Sequence, residues 1–222
     1  MPISSFQDRR AAGKELASEL AKRIWHDPVI LALPRGGVPV GFEIAKKLRA
    51  PLDLVMVRKL GAPGNKEFAV GAIVDGENPQ VVIDADVARM TGASDAYIER
   101  AKEAALAEIG RRRVIYGAMN PVSVKDRTVI VVDDGIATGS TARAALESIR
   151  QARPAKIVLA VPVAPPDTIA SLASLCDEVI CLAKPRSFQA VGAHYADFGQ
   201  TSDREVVEYL ARAREFSPEQ TA

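Results

Sequence analysis

The run TVIVV, residues 128–132, is β-branched at every position and carries no polar interruption after Thr128. A strand with one wet face alternates apolar and polar residues. An unbroken apolar run of this length instead fits a strand covered on both faces, as in a parallel sheet. The run ends abruptly in Asp133 and Asp134, followed by GIATGST, residues 135–141. Two carboxylates and a loop of small and hydroxylated residues do nothing for the packing of that strand. They must serve something at its end.

The rest of the chain supports the same class, because helix and strand signals alternate along it. Ser4 with Gln7 suggests a capping box opening a helix that carries Leu16, Leu20 and Ile24 on one face. Val29–Leu33 reads as a short buried strand, Val38–Leu48 as a helix and Leu52–Val57 as a second strand. The following RKLGAPGNKEF shows no apolar periodicity and reads as a loop. VGAIVDGENPQVVID reads as a hairpin turning at Gly76–Pro79. Ser94 to about Tyr116 is a long helix whose last turn holds Arg111, Arg112 and Arg113, where cations gain from the helix dipole. Thr141–Arg150 is the helix after the TVIVV strand. Lys156–Val161 and Glu178–Leu182 are further strands. Ser202 and Glu205 form a second capping box before a last helix, and the tail from Ser217 reads as frayed.

Composition narrows the function classes. Across 222 residues, 29 Lys and Arg balance 28 Asp and Glu, so the chain lacks the basic excess of a nucleic-acid-coating surface. Nothing in the first 30 residues resembles a signal peptide, since charges run through Met1 to Lys22, and no apolar run reaches a membrane span. Cys176 and Cys181, without a His or Cys cluster, read as small apolar residues rather than metal ligands. A single domain over residues 1–222 in a reduced, cytoplasmic setting is the expectation, with no nucleic-acid or membrane partner.

At the carboxyl edge of a parallel sheet, small residues let backbone N–H groups approach an anion. The hydroxyls of Thr138, Ser140 and Thr141 add donors, and the following helix N-terminus adds a favourable field. This is a phosphate cradle. The adjacent carboxylates would repel phosphate unless they have another task. A sugar diol suits them, and a divalent metal could share them. The Lys of a Walker loop is missing, as is a G-x-G-x-x-G fingerprint.

VIVVDDGIATGSTARAAL closely resembles the phosphoribosyl-diphosphate (PRPP) signature of the type I phosphoribosyltransferases. Ala137 stands where that loop commonly has its first Thr, whereas Thr138, Gly139 and Thr141 match. The resemblance implies a Rossmann-like α/β fold: a central parallel sheet flanked by helices, with a small hood. It also implies that Asp133 and Asp134 hold the ribose hydroxyls and Mg²⁺. Gly135, Ile136, Ala137, Thr138, Gly139, Ser140 and Thr141 would wrap the 5′-phosphate.

Two other stretches fall in matching order. LALPRGGVPVG places Arg35, Gly36 and Gly37 between a strand and a helix, where paired glycines expose N–H groups to an anion. In the resembled family this loop binds pyrophosphate, often through a cis peptide. RKLGAPGNKEFAVG looks like the Arg-Lys segment and flexible loop of adenine and orotate phosphoribosyltransferases. By that resemblance Arg58 and Lys59 contact the diphosphate, residues 61–68 close as a lid, Lys66 reaches in and Glu67 transfers a proton. The implied reaction moves the 5-phosphoribosyl group from PRPP to a nitrogen heterocycle and releases pyrophosphate, with Lys59, Glu67, Asp133 and Asp134 as catalytic residues.

The hood is expected from residues 184–200 and parts of 62–90. There Phe188, His194, Tyr195 and Phe198 either stack on a planar acceptor or form a small core. A homodimer is the expected assembly. Two rival readings remain open at this point. One is a regulatory module of the same fold that senses PRPP or a nucleotide. The other is a sugar-phosphate hydrolase using the carboxylates for metal, which the adjacent placing of Asp133 and Asp134, without D-x-D spacing, disfavours.

Overall fold

A computed structural model describes residues 6–76 and 79–216, the side chains of residues 66 and 67 excepted. Its central sheet has five parallel strands in the order β2-β1-β6-β7-β8. They are β1 (Pro28–Ala32), β2 (Leu52–Leu54), β6 (Thr128–Val132), β7 (Lys156–Val163) and β8 (Glu178–Ala183). The TVIVV run is β6, the middle strand, and every one of its residues is buried. Continuous β-branched apolar sequence is what two covered faces select. The expectation of a parallel sheet with helices on both sides is met.

On one face lie α1 (Arg9–Leu20) and α2 (Gly37–Leu48), whose Leu16, Leu20, Val40 and Ile44 pack on Ile30, Ile130 and Val158. On the other lies α5 (Ser140–Gln151), with Ala142, Ala145, Leu146 and Ile149 on one stripe against Val129, Val131 and Leu159. That i, i+3, i+4, i+7 spacing is the helical signature of one buried face. Full burial of a side chain such as Leu146 or Ile149 contributes about 1.5–3 kcal/mol.

Between β2 and β6 the chain builds a separate layer. β3 (Val57–Ala62), β4 (Asn65–Val74) and β5 (Gln80–Ile83) form a three-stranded antiparallel sheet, followed by α3 (Ala85–Met90) and α4 (Asp95–Tyr116). One face of this sheet, through Val57, Ala72 and Val74, joins the cluster under α5. The other, through Leu60, Val70 and Ile73, packs with Ile109 and Tyr116 of α4. The chain closes with α6 (Pro166–Leu172) and α7 (Asp203–Ala213), the latter carrying the expected Ser202–Glu205 capping box.

Several expectations need correction. The helix at the start is capped by Asp8, whose side chain accepts from Ala11 N at 2.7 Å. Ser4 lies outside the described residues. Ile24 lies past the end of α1 and is fully exposed. The second strand stops at Leu54, and Val57 begins a different sheet. RKLGAPGNKEF is a hairpin, with Val57 opposite Val74 and Ala62 opposite Asn65. Register shifts at Leu60/Gly61 and Gly61/Ala62 break the two-residue alternation, so the stretch looks aperiodic in sequence. The second hairpin forms as read: Val74 pairs with Gln80, although Glu77 and Asn78 lie outside the described residues, as does the tail from Ser217. Of the three arginines ending α4, Arg111 and Arg112 pair with Glu108 within the helix, whereas Arg113 is buried against Asp75 and Asp53.

Candidate functional site

β1 and β6 are neighbours, so the loops leaving them emerge side by side at the carboxyl edge. Leu33 N donates to Val132 O at 2.8 Å, extending that pairing into the turn after β1. The turn is tight: Gly37 N donates to Leu33 O at 3.0 Å, and the Pro34–Arg35 peptide is cis. A side chain at Gly37 would lie 2.6 Å from Val132 O. One at Gly36 would lie 2.1 Å from Asp134 Oδ2. The paired glycines therefore let the first loop press directly on the second.

The second loop is anchored at its start and open at its end. Ile136 is buried and donates its N–H to Val163 O at 2.9 Å. Gly135 is hemmed in by Val191 and Val163, which a Cβ would approach to 2.5 and 2.9 Å. Gly139 takes a φ of +79° to start α5, a conformation that glycine adopts without strain. Ala137, Thr138, Ser140 and Thr141 are exposed around the first turn of that helix. Backbone donors and hydroxyls thus surround a helix N-terminus, which suits an anion.

The two aspartates differ. Asp133 is half-buried, and its Oδ1 accepts from Asp134 N at 2.9 Å. Asp134 is buried, and its Oδ2 accepts from Arg9 Nε at 2.6 Å. Arg9 also donates from Nη1 to Gly199 O at 2.5 Å and lies 3.8 Å from the centre of the Phe198 ring. The Tyr195 hydroxyl donates to Asp134 O. Burial, reinforced by the Asp134 charge, pushes the Asp133 carboxyl well above its ordinary value. Burial also raises Asp134, against the opposing pull of Arg9.

Sequence reasoning missed Arg9. A signal was present: Arg9 and Arg10 open a helix whose first turn holds no acid, against the preference set by the dipole. A residue that opposes its local rule is often held by tertiary structure.

The other expected side chains point away from the two aspartates or lie outside these loops. Arg35 turns its side chain toward Asp203 at the start of α7, at 3.6 Å. Arg58 and Lys59 belong to β3 rather than to the edge of the main sheet. Both line a 430 Å³ cavity beside Tyr97 and Arg100 of α4, and Arg58 meets Glu108 at 3.5 Å. Lys59 is exposed and sits opposite Ala72, on the sheet face that packs toward α5. Glu67 lies in β4, but its side chain is outside the described residues, as is that of Lys66.

The rings of the 188–198 segment are largely spent on one another. Phe188 stacks on His194 with ring centres 5.2 Å apart, and Tyr195 lies 5.0 Å from Phe198 and 5.5 Å from Phe6. His194 is 2% exposed, with neither ring nitrogen partnered among the described residues.

Among the described residues no three His, Cys, Asp or Glu side chains gather as metal ligands. No helix among them is long and apolar enough to cross a membrane.

These features can be set beside known proteins. The profile of the phosphoribosyl transferase domain matches residues 3–196. Two Mycobacterium tuberculosis proteins, from strains CDC 1551 / Oshkosh and ATCC 25618 / H37Rv, are named provisionally as phosphoribosyl transferases. Each is 47% identical over 214 residues, covering 96% of this chain and 48% of its own length. The chain thus spans about half the length of the curated relatives it matches. The crystal structure of TT1426 from Thermus thermophilus is 41% identical and superposes with a TM-score of 0.81 over 96% of this chain and 100% of that one. On the profile, the relatives and the shared fold, the chain belongs to the phosphoribosyl transferase domain family.

Proposed function

We propose that this domain transfers the 5-phosphoribosyl group of PRPP to a nitrogen heterocycle and releases pyrophosphate. The observation that carries the reading is the contact between two anion-suited loops at one sheet edge, Gly36 lying against the Asp134 carboxylate. Residues 135–141 receive the 5′-phosphate on the first turn of α5, and the Arg35–Gly37 turn receives pyrophosphate through its backbone N–H groups. Asp133 and Asp134 are the acids of the ribose site, with Asp133 the more open. Arg58 and Lys59 supply cations from the β3–β4 hairpin, Lys59 from the face toward α5. Glu67 is the residue of that hairpin proposed to move a proton.

The chemistry is charge management. As the C1–oxygen bond breaks, negative charge collects on the leaving pyrophosphate and positive charge on the ribose ring. Donors at the first and carboxylates near the second favour the transition state over the ground state. The acceptor nitrogen adds from the opposite face, with inversion.

The donor set fits Mg²⁺ only in a limited way. Two adjacent carboxylates, one already held by an arginine, do not make a protein cage, but Mg²⁺ commonly binds one or two carboxylates together with substrate oxygens. Asp133 would hold it, with Asp134 behind. When bound, the ion would neutralise diphosphate charge.

A binding-only module of the same fold is the second reading, favoured by the engagement of Asp134 with Arg9. Calorimetry with PRPP and Mg²⁺, followed by a screen of heterocyclic bases for pyrophosphate release, separates the two. Binding with release at any base supports transfer. Binding with no release across the bases supports the sensor, and absence of binding removes both. A homodimer is proposed as the assembly, to be read from light scattering.

A further inference from the structure

We propose that a second small-molecule site lies beside the C-terminal half of α5, and that it takes a flat aromatic molecule with a hydrogen-bond donor at its inner end and an anion at its outer end. The site shares no lining residue with the Arg35–Gly37 turn or with residues 133–141. It therefore stands whether or not the proposed function does.

A cavity of about 450 Å³ opens where α5, the smaller sheet and the 121–125 segment meet. That volume falls within the range of small-molecule sites. Leu31, Val122 and Ile149 give it apolar walls. Leu31 and Ile149 belong to one buried cluster, and Val122 packs against that cluster, so these walls are held by the core. An aromatic ring placed between them leaves water for an apolar surface.

The inner groups are polar and buried. Ser148 lines the cavity, is 6% exposed and makes no hydrogen bond among the described residues. Ser18 in α1 and Thr91 at the end of α3 instead return their hydroxyls to carbonyls four residues back, each at 2.8 Å. Asp75 also lines the cavity, and its side chain is 4% exposed. It accepts from Met56 N at 2.7 Å and Arg113 Nε at 2.6 Å. A carboxylate can accept about four hydrogen bonds, so Asp75 has capacity for an entering N–H. Two acids, Asp53 and Asp75, against one arginine favour a donor over an acceptor at this depth. At the rim Lys125 and Arg153 are exposed, and an anion at the outer end answers their charge. Cations there also suit the C-terminal end of α5, so the inner groups carry the larger part of the inference.

A chemical-shift titration of the isotope-labelled full chain tests this, with 4-aminobenzoate in one arm and adenosine 5′-monophosphate in the other. Both molecules have the stated chemistry, and the tighter one tells whether the source is an aryl acid or a nucleotide. The tighter probe should shift the amides of residues 122–125 and 148–153. Benzoate and purine riboside 5′-monophosphate, which lack the amino group, should bind about three- to ten-fold more weakly than their partners. Reversing the rim with Lys125→Glu and Arg153→Glu together should weaken the tighter probe about five- to ten-fold. Ser148→Leu, which fills part of the cavity, should weaken it as well. If that variant fails to fold, the rim pair decides, since both of its positions are on the surface. Absence of any shift with either probe, shifts of the tighter probe confined to residues 135–141, or unchanged affinity in the rim pair would overturn the site. Equal binding with and without the amino group would overturn the donor end of the ligand.

Discussion

Arg113 Nε lies 2.6 Å from Asp75 Oδ2, with both side chains almost wholly buried, where the smaller sheet meets the larger one. The same guanidinium reaches Asp53 Oδ1 at 3.4 Å and donates to Ala118 O at 2.6 Å and Leu54 O at 3.1 Å. The carboxylates are satisfied in turn, Asp75 by Met56 N at 2.7 Å and Asp53 by Val122 N at 2.8 Å. Burial pushes Asp75 up in pKa, and Arg113 pulls it back. One side chain therefore ties α4 to the ends of β2 and β4.

Arg113→Met should be among the most damaging single changes to folding. It leaves two buried carboxylates without their cation, a loss of about 3–5 kcal/mol. Urea unfolding followed by circular dichroism should show a lower midpoint at unchanged slope. A midpoint within error of wild type would show that the network contributes nothing net.

Gly36→Ala tests the contact between the loops. Gly36 has a φ of −61°, so any penalty is steric rather than conformational. The new methyl must displace a carboxylate that Arg9 holds in place. The expected cost is about 1–3 kcal/mol of stability, together with weaker PRPP binding by calorimetry. Wild-type melting and wild-type affinity together would mean that the two loops do not share a site.

The buried acids carry a pH signature. A carboxyl whose folded pKa lies above its unfolded value of about 3.9 costs stability as pH rises through the elevated value, and the cost is fully present above it. Burial raises both Asp133 and Asp134. At pH 7, Asp133→Asn should therefore melt above wild type, by about 2–4 °C for each kcal/mol relieved in a domain of this size. The gap should close as pH falls toward 4, where the carboxyl takes its proton in the unfolded chain as well as in the folded one. A variant melting below wild type at pH 7 would reverse the sign and refute the burial cost.

His194 makes a different case. With both ring nitrogens buried and unpartnered among the described residues, it carries a desolvation cost that an apolar side chain would not. His194→Leu should be neutral or stabilising by up to about 1 kcal/mol, after losing its stack on Phe188. A strongly destabilised variant would mean that the imidazole has a partner in solution.

Local pattern carried some of this structure unaided. TVIVV had to be a strand covered on both sides, and it is the middle strand of the sheet. Ala142, Ala145, Leu146 and Ile149 had to face one way, and Ser202 with Glu205 caps α7 as their spacing implied. Gly36 and Gly37 are legible as a glycine turn suited to an anion, whereas their close approach to Asp134 and Val132 comes from the fold. The β3–β4 hairpin was not legible, because a register shift at Gly61 erases the alternation on which strand reading depends.

Neighbours within a few positions are enough to specify the strands of the main sheet, the small and acidic residues at the end of β6, and the chemistry those residues suit. The inequality of Asp133 and Asp134, the meeting of Arg9 rather than Arg35 with Asp134, and the burial of Arg113 come from contacts between distant parts of the chain. The Arg113–Asp75 and Arg9–Asp134 pairings span 38 and 125 positions along the chain. An ion pair leaves no periodic trace when its partners are brought together by the order of strands in a sheet.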